Sequence, residues 1–160
     1  MKYKNKIVFG LLSLIFLSSI ITSLKTETYV KLTSHQGENI LEIPSNAQSN
    51  QGFNTSISKN QILVVKLSGN PTTGYSWYLS NRQNLDLGQL KPININQYGS
   101  SDDYQVDAHE PGMVGVGGKF YFKFQPIKSG VKVELIFIYQ RSWMPGENTK
   151  TVRVTVDITD

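Results

Sequence analysis

Active-site chemistry needs nucleophiles, general bases or metal ligands within reach of one another, and this 160-residue chain is poor in them. It contains no cysteine. That removes a thiol nucleophile, a zinc ribbon or finger, an iron–sulfur site and a disulfide framework. His35 and His109 are the two histidines, and each stands alone. No metal cluster is visible, and a histidine base has only these candidates. Neither G-x-S-x-G nor H-E-x-x-H occurs, and His109-Glu110 runs into Pro111-Gly112, a turn. Asp102 and Asp103 are the residue type that glycosidases pair, but adjacent acids on a polar stretch are ordinarily just solvated. The residues therefore argue against an enzyme, and no cofactor is required.

Three other segments suit a different chemistry, that of non-covalent contact. The first is Asn70-Pro71-Thr72-Thr73-Gly74. Pro71 fixes its own φ and drives Asn70 out of the helical region, while Gly74 permits a positive φ. An ordered loop presenting small polar groups is expected, although a plain turn fits the same residues. The second is Gly115-Val116-Gly117-Gly118. Its glycines allow close approach by another backbone, and a flexible turn is the competing reading. It is not a dinucleotide loop, because G-x-G-x-x-G is not met and a strand follows where a helix is needed. The third is Arg141-Ser142-Trp143-Met144-Pro145-Gly146. Trp and Arg are enriched in interface hot spots. The alternative is a Trp folded back onto the end of the core.

The elements that must hold these segments alternate with period two. Strands are predicted over residues 29–33, 39–43, 61–67, 75–79 (carrying Trp77), around Pro92, and over 119–125, 131–139 and 150–159. The clearest is 119–125, where Phe120, Phe122 and Phe124 share one face and Lys119, Tyr121 and Lys123 the other. Residues 44–60 are rich in Ser and Asn and read as a surface loop, as do the polar residues 100–112. No convincing helix follows the first 23 residues. The prediction is an all-β Greek-key sandwich of about seven or eight strands, without the cysteines of an antibody domain. In that topology alternate connections lie at one end, so the three contact segments could form one wedge.

The net charge of +4 invites a nucleic-acid partner. Lys2, Lys4 and Lys6, however, lie in the first six residues, and without them the rest carries 13 basic against 12 acidic residues. Nucleic acid is dropped as a partner. Residues 1–23 read as a secretory signal: those lysines, then an apolar run from Ile7 to Ile21 that is shorter than the ~20 residues a membrane span needs. Cleavage is expected, leaving residues 24–160 as one domain with no membrane segment, secreted or held in lysosome- or phagosome-type vesicles. Asn54-Thr55-Ser56 fits the N-x-[ST] acceptor pattern and makes Asn54 a candidate glycosylation site in the predicted loop.

In this order and at these intervals, N-P-T-T-G, G-x-G-G and R-x-W resemble the chagasin family of cysteine peptidase inhibitors, over roughly residues 29–160. The resemblance implies an immunoglobulin-like sandwich that acts as a monomer. It implies inhibition of papain-like, cathepsin-like cysteine peptidases by three loops laid across the active-site cleft. Asn70, Pro71, Thr72, Thr73 and Gly74 would form the central loop, with Thr72 and Thr73 nearest the target's catalytic cysteine and histidine and Tyr75 an aromatic neighbour. Gly115, Val116, Gly117 and Gly118 would pair by backbone on the non-primed side. Arg141 and Trp143 would form the third loop, with Trp143 packed on an aromatic surface of the primed side. One departure is Ser142, where the family usually has proline. That loses pre-ordering worth about 0.4–1 kcal/mol, and a looser third loop is expected. The 44–60 segment looks like an insertion. The competing function is a carbohydrate-binding or adhesion module in which Trp77, Trp143 and Tyr75 stack on sugar rings, a reading that leaves the glycine segment unexplained.

Overall fold

The computed structural model describes residues 37–85 and 88–160; the predicted leader, the strand over 29–33 and His35 lie outside the described residues. The chain forms β1 (Glu38–Ile43), β2 (Gln51–Ser58), β3 (Ile62–Gly69), β4 (Tyr75–Leu79), a single-turn helix α1 (Arg82–Leu85), β5 (Leu90–Pro92), β6 (Tyr104–Val106), β7 (Gly118–Pro126), β8 (Val131–Arg141) and β9 (Lys150–Thr159). One sheet runs β1-β3-β7-β5, with β6 sharing the second edge of β7; the other runs β2-β9-β8-β4. The pairs β1–β3 and β2–β9 are parallel, and every other pair is antiparallel.

The period-two pattern explains the sandwich. Leu63, Val65, Leu67, Phe120, Phe122 and Phe124 face inward from the first sheet, and Trp77, Leu79, Val133, Leu135, Phe137, Val152, Val154, Val156 and Ile158 from the second. The layers interlock through aromatic edges, with the Phe137 ring centroid 4.9 Å from Phe122 and 6.4 Å from Phe124, both at steep angles. The outward positions of β7 are Lys119, Tyr121, Lys123 and Gln125. Lys119 reaches Glu42 at 3.0 Å, and this hydrogen-bonded ammonium holds the Glu42 carboxyl below its ordinary value.

Two predicted loops are corrected. Residues 44–60 contain β2, whose Phe53, Thr55 and Ile57 turn inward while Gly52, Asn54 and Ser56 face out. Its outward residues are polar and only Ile57 is fully buried, so the alternation is weak in the sequence; the strand exists because β9 offers it an edge. Asn54 therefore stands on an exposed strand position opposite Thr155, not in a loop. Residues 100–112 likewise contain β6, held on β7 by Tyr104, whose ring packs 4.7 Å from that of Phe120. The described residues thus hold nine strands rather than seven or eight. Because Ile57 is 1 % exposed, Ile57→Val should cost about 1 kcal/mol and move the urea midpoint by about 0.5 M. An unchanged midpoint would return this segment to a surface loop.

Strand register decides where the three segments go. Gly69, ending β3, lies opposite Gly118, starting β7, and Tyr75, starting β4, lies opposite Arg141, ending β8. The connections 70–74, 107–117 and 142–149 therefore emerge at one end of the sandwich.

Candidate functional site

The central connection is a tight, internally bonded turn. Pro71–Thr73 form one 3-10 turn, with Asn70 extended at φ −135° as its cap and Gly74 closing it at φ +82°. The Asn70 Oδ1 accepts from the Thr72 N–H at 3.1 Å and from the Thr72 hydroxyl at 2.6 Å. The Thr73 hydroxyl donates to the Asn70 carbonyl at 2.6 Å, and the Gly74 N–H to the Pro71 carbonyl at 2.9 Å. Asparagine favours this place because its short acceptor satisfies turn N–H groups that would otherwise lack a partner. Pro71, Thr72 and Thr73 are left exposed at the tip.

A polar and aromatic base supports that turn. The Tyr139 hydroxyl accepts from the Asn70 N–H at 2.9 Å, and its ring lies 5.3 Å from Tyr75 and 5.0 Å from Trp77. The Arg141 guanidinium sits 4.6 Å above the Tyr75 ring while its Nε donates to the Thr73 carbonyl at 3.3 Å. Arg141 is the last residue of β8 rather than part of a loop tip, and this pair of contacts ties the third connection to the first. Burial, more than the nearby Asp107 and Tyr139, pushes the Tyr104 hydroxyl above its ordinary value.

Trp143 is 65 % exposed, so it is not folded into the core. Its indole lies across Gly74, where any Cβ would overlap the ring. Ser142 is exposed, and the turn it occupies is closed by the Met144 N–H donating to the Arg141 carbonyl at 3.2 Å. The indole thus has a seat on the central turn that does not depend on a proline at 142.

The glycine segment divides in two. Gly115 has φ +73° with open space where a Cβ would point, and the Gly117 carbonyl accepts from the Asp107 N–H at 2.9 Å. Gly118 is the buried first residue of β7, where a Cβ would overlap the Gln105 carbonyl oxygen and lie 2.6 Å from the Tyr104 hydroxyl. Sequence reasoning passed over Tyr104, which lay in a predicted loop, and Tyr139, which read only as strand alternation. It also passed over Met113 and Val114, which are 62 % and 95 % exposed beside Gly115. Two successive apolar residues in a polar stretch were the available signal. Among the described residues, no group of His, Asp or Glu could hold a metal ion.

All three segments fall within residues 56–158, which match the family model of the chagasin family peptidase inhibitors, I42. The chain belongs to the chagasin family. It is therefore a peptidase inhibitor and not an enzyme. This chagasin-family chain is 29 % identical over 111 residues to Amoebiasin-1 of Entamoeba histolytica, covering 69 % of its own length and 95 % of that protein. It is similar to the solution structure of Amebosin, with a TM-score of 0.51 at 28 % identity, over 75 % of this chain and 96 % of Amebosin. It also matches the crystal structure of the cysteine protease inhibitor EhICP2 from Entamoeba histolytica, with a TM-score of 0.46 at 23 % identity, over 74 % of this chain and 95 % of that one. In the chagasin-family chain the immunoglobulin-like sandwich is the scaffold, and the motif segments stand together at one end of it. The carbohydrate reading fails at Trp77, which is 2 % exposed and donates its indole N–H to the Ser68 carbonyl at 2.9 Å.

Proposed function

We propose that the protein is a reversible, tight-binding inhibitor of papain-like cysteine peptidases that occludes the active-site cleft with three loops. The observation that carries this reading is the cross-bonded wedge itself. Asn70 bonds to Gly115, Arg141 bonds to Thr73, and Trp143 rests on Gly74. Loops held in this way lose little freedom on binding, so more of the contact energy appears as affinity.

The turn geometry supports obstruction without cleavage. Extended segments are recognised by main-chain pairing, and attack on a carbonyl needs an aligned approach. The 3-10 turn at Pro71–Thr73 offers Thr72 and Thr73 to the nucleophile in a bent conformation, held by bonds from their N–H and hydroxyl groups to Asn70. Asn70, Pro71, Gly74 and Tyr75 shape and support that tip. Gly115, Val116 and Gly117 supply backbone contacts, backed by Gly118 in the strand. Arg141 and Ser142 carry Trp143 as the aromatic anchor. The chain has no cysteine, so the complex is held without a disulfide to the target's thiol.

Residues 1–23 are proposed as a cleaved secretory leader that delivers the domain outside the cell or into lysosome- or phagosome-type vesicles. Asn54, exposed on β2, is proposed as a glycan acceptor on that route. Titrating the mature protein against papain with a small fluorogenic substrate should abolish activity at submicromolar, near-stoichiometric inhibitor. Full activity at micromolar inhibitor would defeat the proposal.

A further inference from the structure

The wedge must hold loops from different strands at a fixed relative height, and most of its bonds do not achieve this. The central turn is closed by bonds within residues 70–74. The glycine connection, residues 107–117, is closed by the Asp107 N–H to Gly117 carbonyl bond at 2.9 Å and the Met113 N–H to Glu110 carbonyl bond at 3.2 Å. Neither set joins the two loops at their tips. The Asn70 side chain does. Its Nδ2 donates to the Gly115 carbonyl at 2.6 Å while its Oδ1 accepts from Thr72. The positive φ of Gly115 belongs to the left-handed backbone region, which a residue with a Cβ rarely adopts.

We propose that Asn70 is a positioning residue: its amide couples the central turn to the glycine loop, so that both meet a peptidase as one surface. This deepens the inhibitory reading and rests on it. The side-chain chemistry singles out asparagine. Aspartate keeps the acceptor for Thr72 but has no donor for Gly115, and its charge would face a carbonyl oxygen. Serine keeps a cap without the amide's reach, and alanine keeps neither function. Glutamine retains the amide on a longer stem, which displaces the acceptor from the Thr72 N–H.

The test compares wild type with Asn70→Asp and Asn70→Ala, each alone and combined with Val116→Ala, by inhibition of papain and by melting temperature. Asn70→Asp keeps the cap, so its melting temperature should stay within about 2 °C of wild type while its inhibition constant rises about tenfold. Val116→Ala should weaken the wild type but have a much smaller effect in the Asn70→Asp background, because the glycine loop is already uncoupled. A role in stability alone would leave the Val116→Ala ratio identical in both backgrounds. An identical ratio, or an Asn70→Asp inhibition constant within twofold of wild type, overturns the proposal.

Amide hydrogen exchange on the free protein separates this inference from the functional reading. Exchange at the Asp107 and Met113 amides, whose bonds close the glycine connection, should accelerate about tenfold in Asn70→Asp, with the β7–β8 amides unchanged. Wild-type protein that fails to inhibit papain defeats the functional reading, and exchange then still decides the tether. Unchanged exchange at Asp107 and Met113 defeats the tether even if inhibition is intact.

Discussion

Trp143→Ala should raise the inhibition constant against papain roughly 30- to 700-fold, while the melting temperature moves by less than about 2 °C. The two halves of this result have separate causes. Trp143 is 65 % exposed, so its removal leaves no cavity and uncovers little core. Its ring is nevertheless placed, because it lies on Gly74 and follows Arg141, which is held over Tyr75. A large aromatic surface presented in one position is the ordinary form of a binding anchor, worth about 2–4 kcal/mol when truncated. The second tryptophan makes the check clean. Trp77 is buried and hydrogen-bonded, so the inhibitor's own share of the fluorescence change on complex formation should come from Trp143. An inhibition constant within twofold of wild type would mean that the third loop anchors nothing.

Gly118→Ala and Gly117→Ala, one bond apart, should separate fold from function. At Gly118 a Cβ would overlap the Gln105 carbonyl oxygen, a backbone atom of the paired strand β6 that cannot rotate away. Either β6 lifts from β7 or the start of β7 shifts. Such overpacking costs about 1–3 kcal/mol and lowers the melting temperature by roughly 4–12 °C. At Gly117 the nearest atom to a Cβ is the Gly69 carbonyl oxygen at 3.4 Å, which is an accommodating distance. Gly117→Ala should melt with the wild type, within about 2 °C, and inhibit about tenfold less well because the added methyl holds the peptidase backbone away. If both variants melted together, the β6–β7 contact would not be as tight as described. If Gly117→Ala inhibited normally, the loop would not approach its target through its backbone.

The long strands were legible because their chemistry repeats locally. Phe120, Phe122 and Phe124 alternate with Lys119, Tyr121 and Lys123, and that pattern needs no partner to be read. Val152, Val154, Val156 and Ile158 do the same in β9, whose bounds were predicted to the residue. β2 and β6 were not legible. Their outward residues are Ser, Asn and Gln, they bury few side chains, and they are strands because β9 and β7 present open edges to them. Asn54 changed place with β2, from a loop to an exposed strand position.

The candidate site divides along the same line. N-P-T-T-G, G-x-G-G and R-x-W are properties of the chain, and so are the turn-forming habits of Asn70, Pro71 and Gly74, because they depend on residues within a few positions of one another. The sequence alone was therefore enough to indicate an all-β inhibitor with three contact loops, and to place most of the net charge of +4 in the first six residues. Tertiary structure decided what each residue does inside those loops. That Asn70 reaches Gly115, that Arg141 props Thr73, that Trp143 rests on Gly74 and that Gly118 belongs to packing follow from the strand register, which sets Gly69 against Gly118 and Tyr75 against Arg141. These partners stand tens of residues apart, and register between strands is settled by the whole buried face at once.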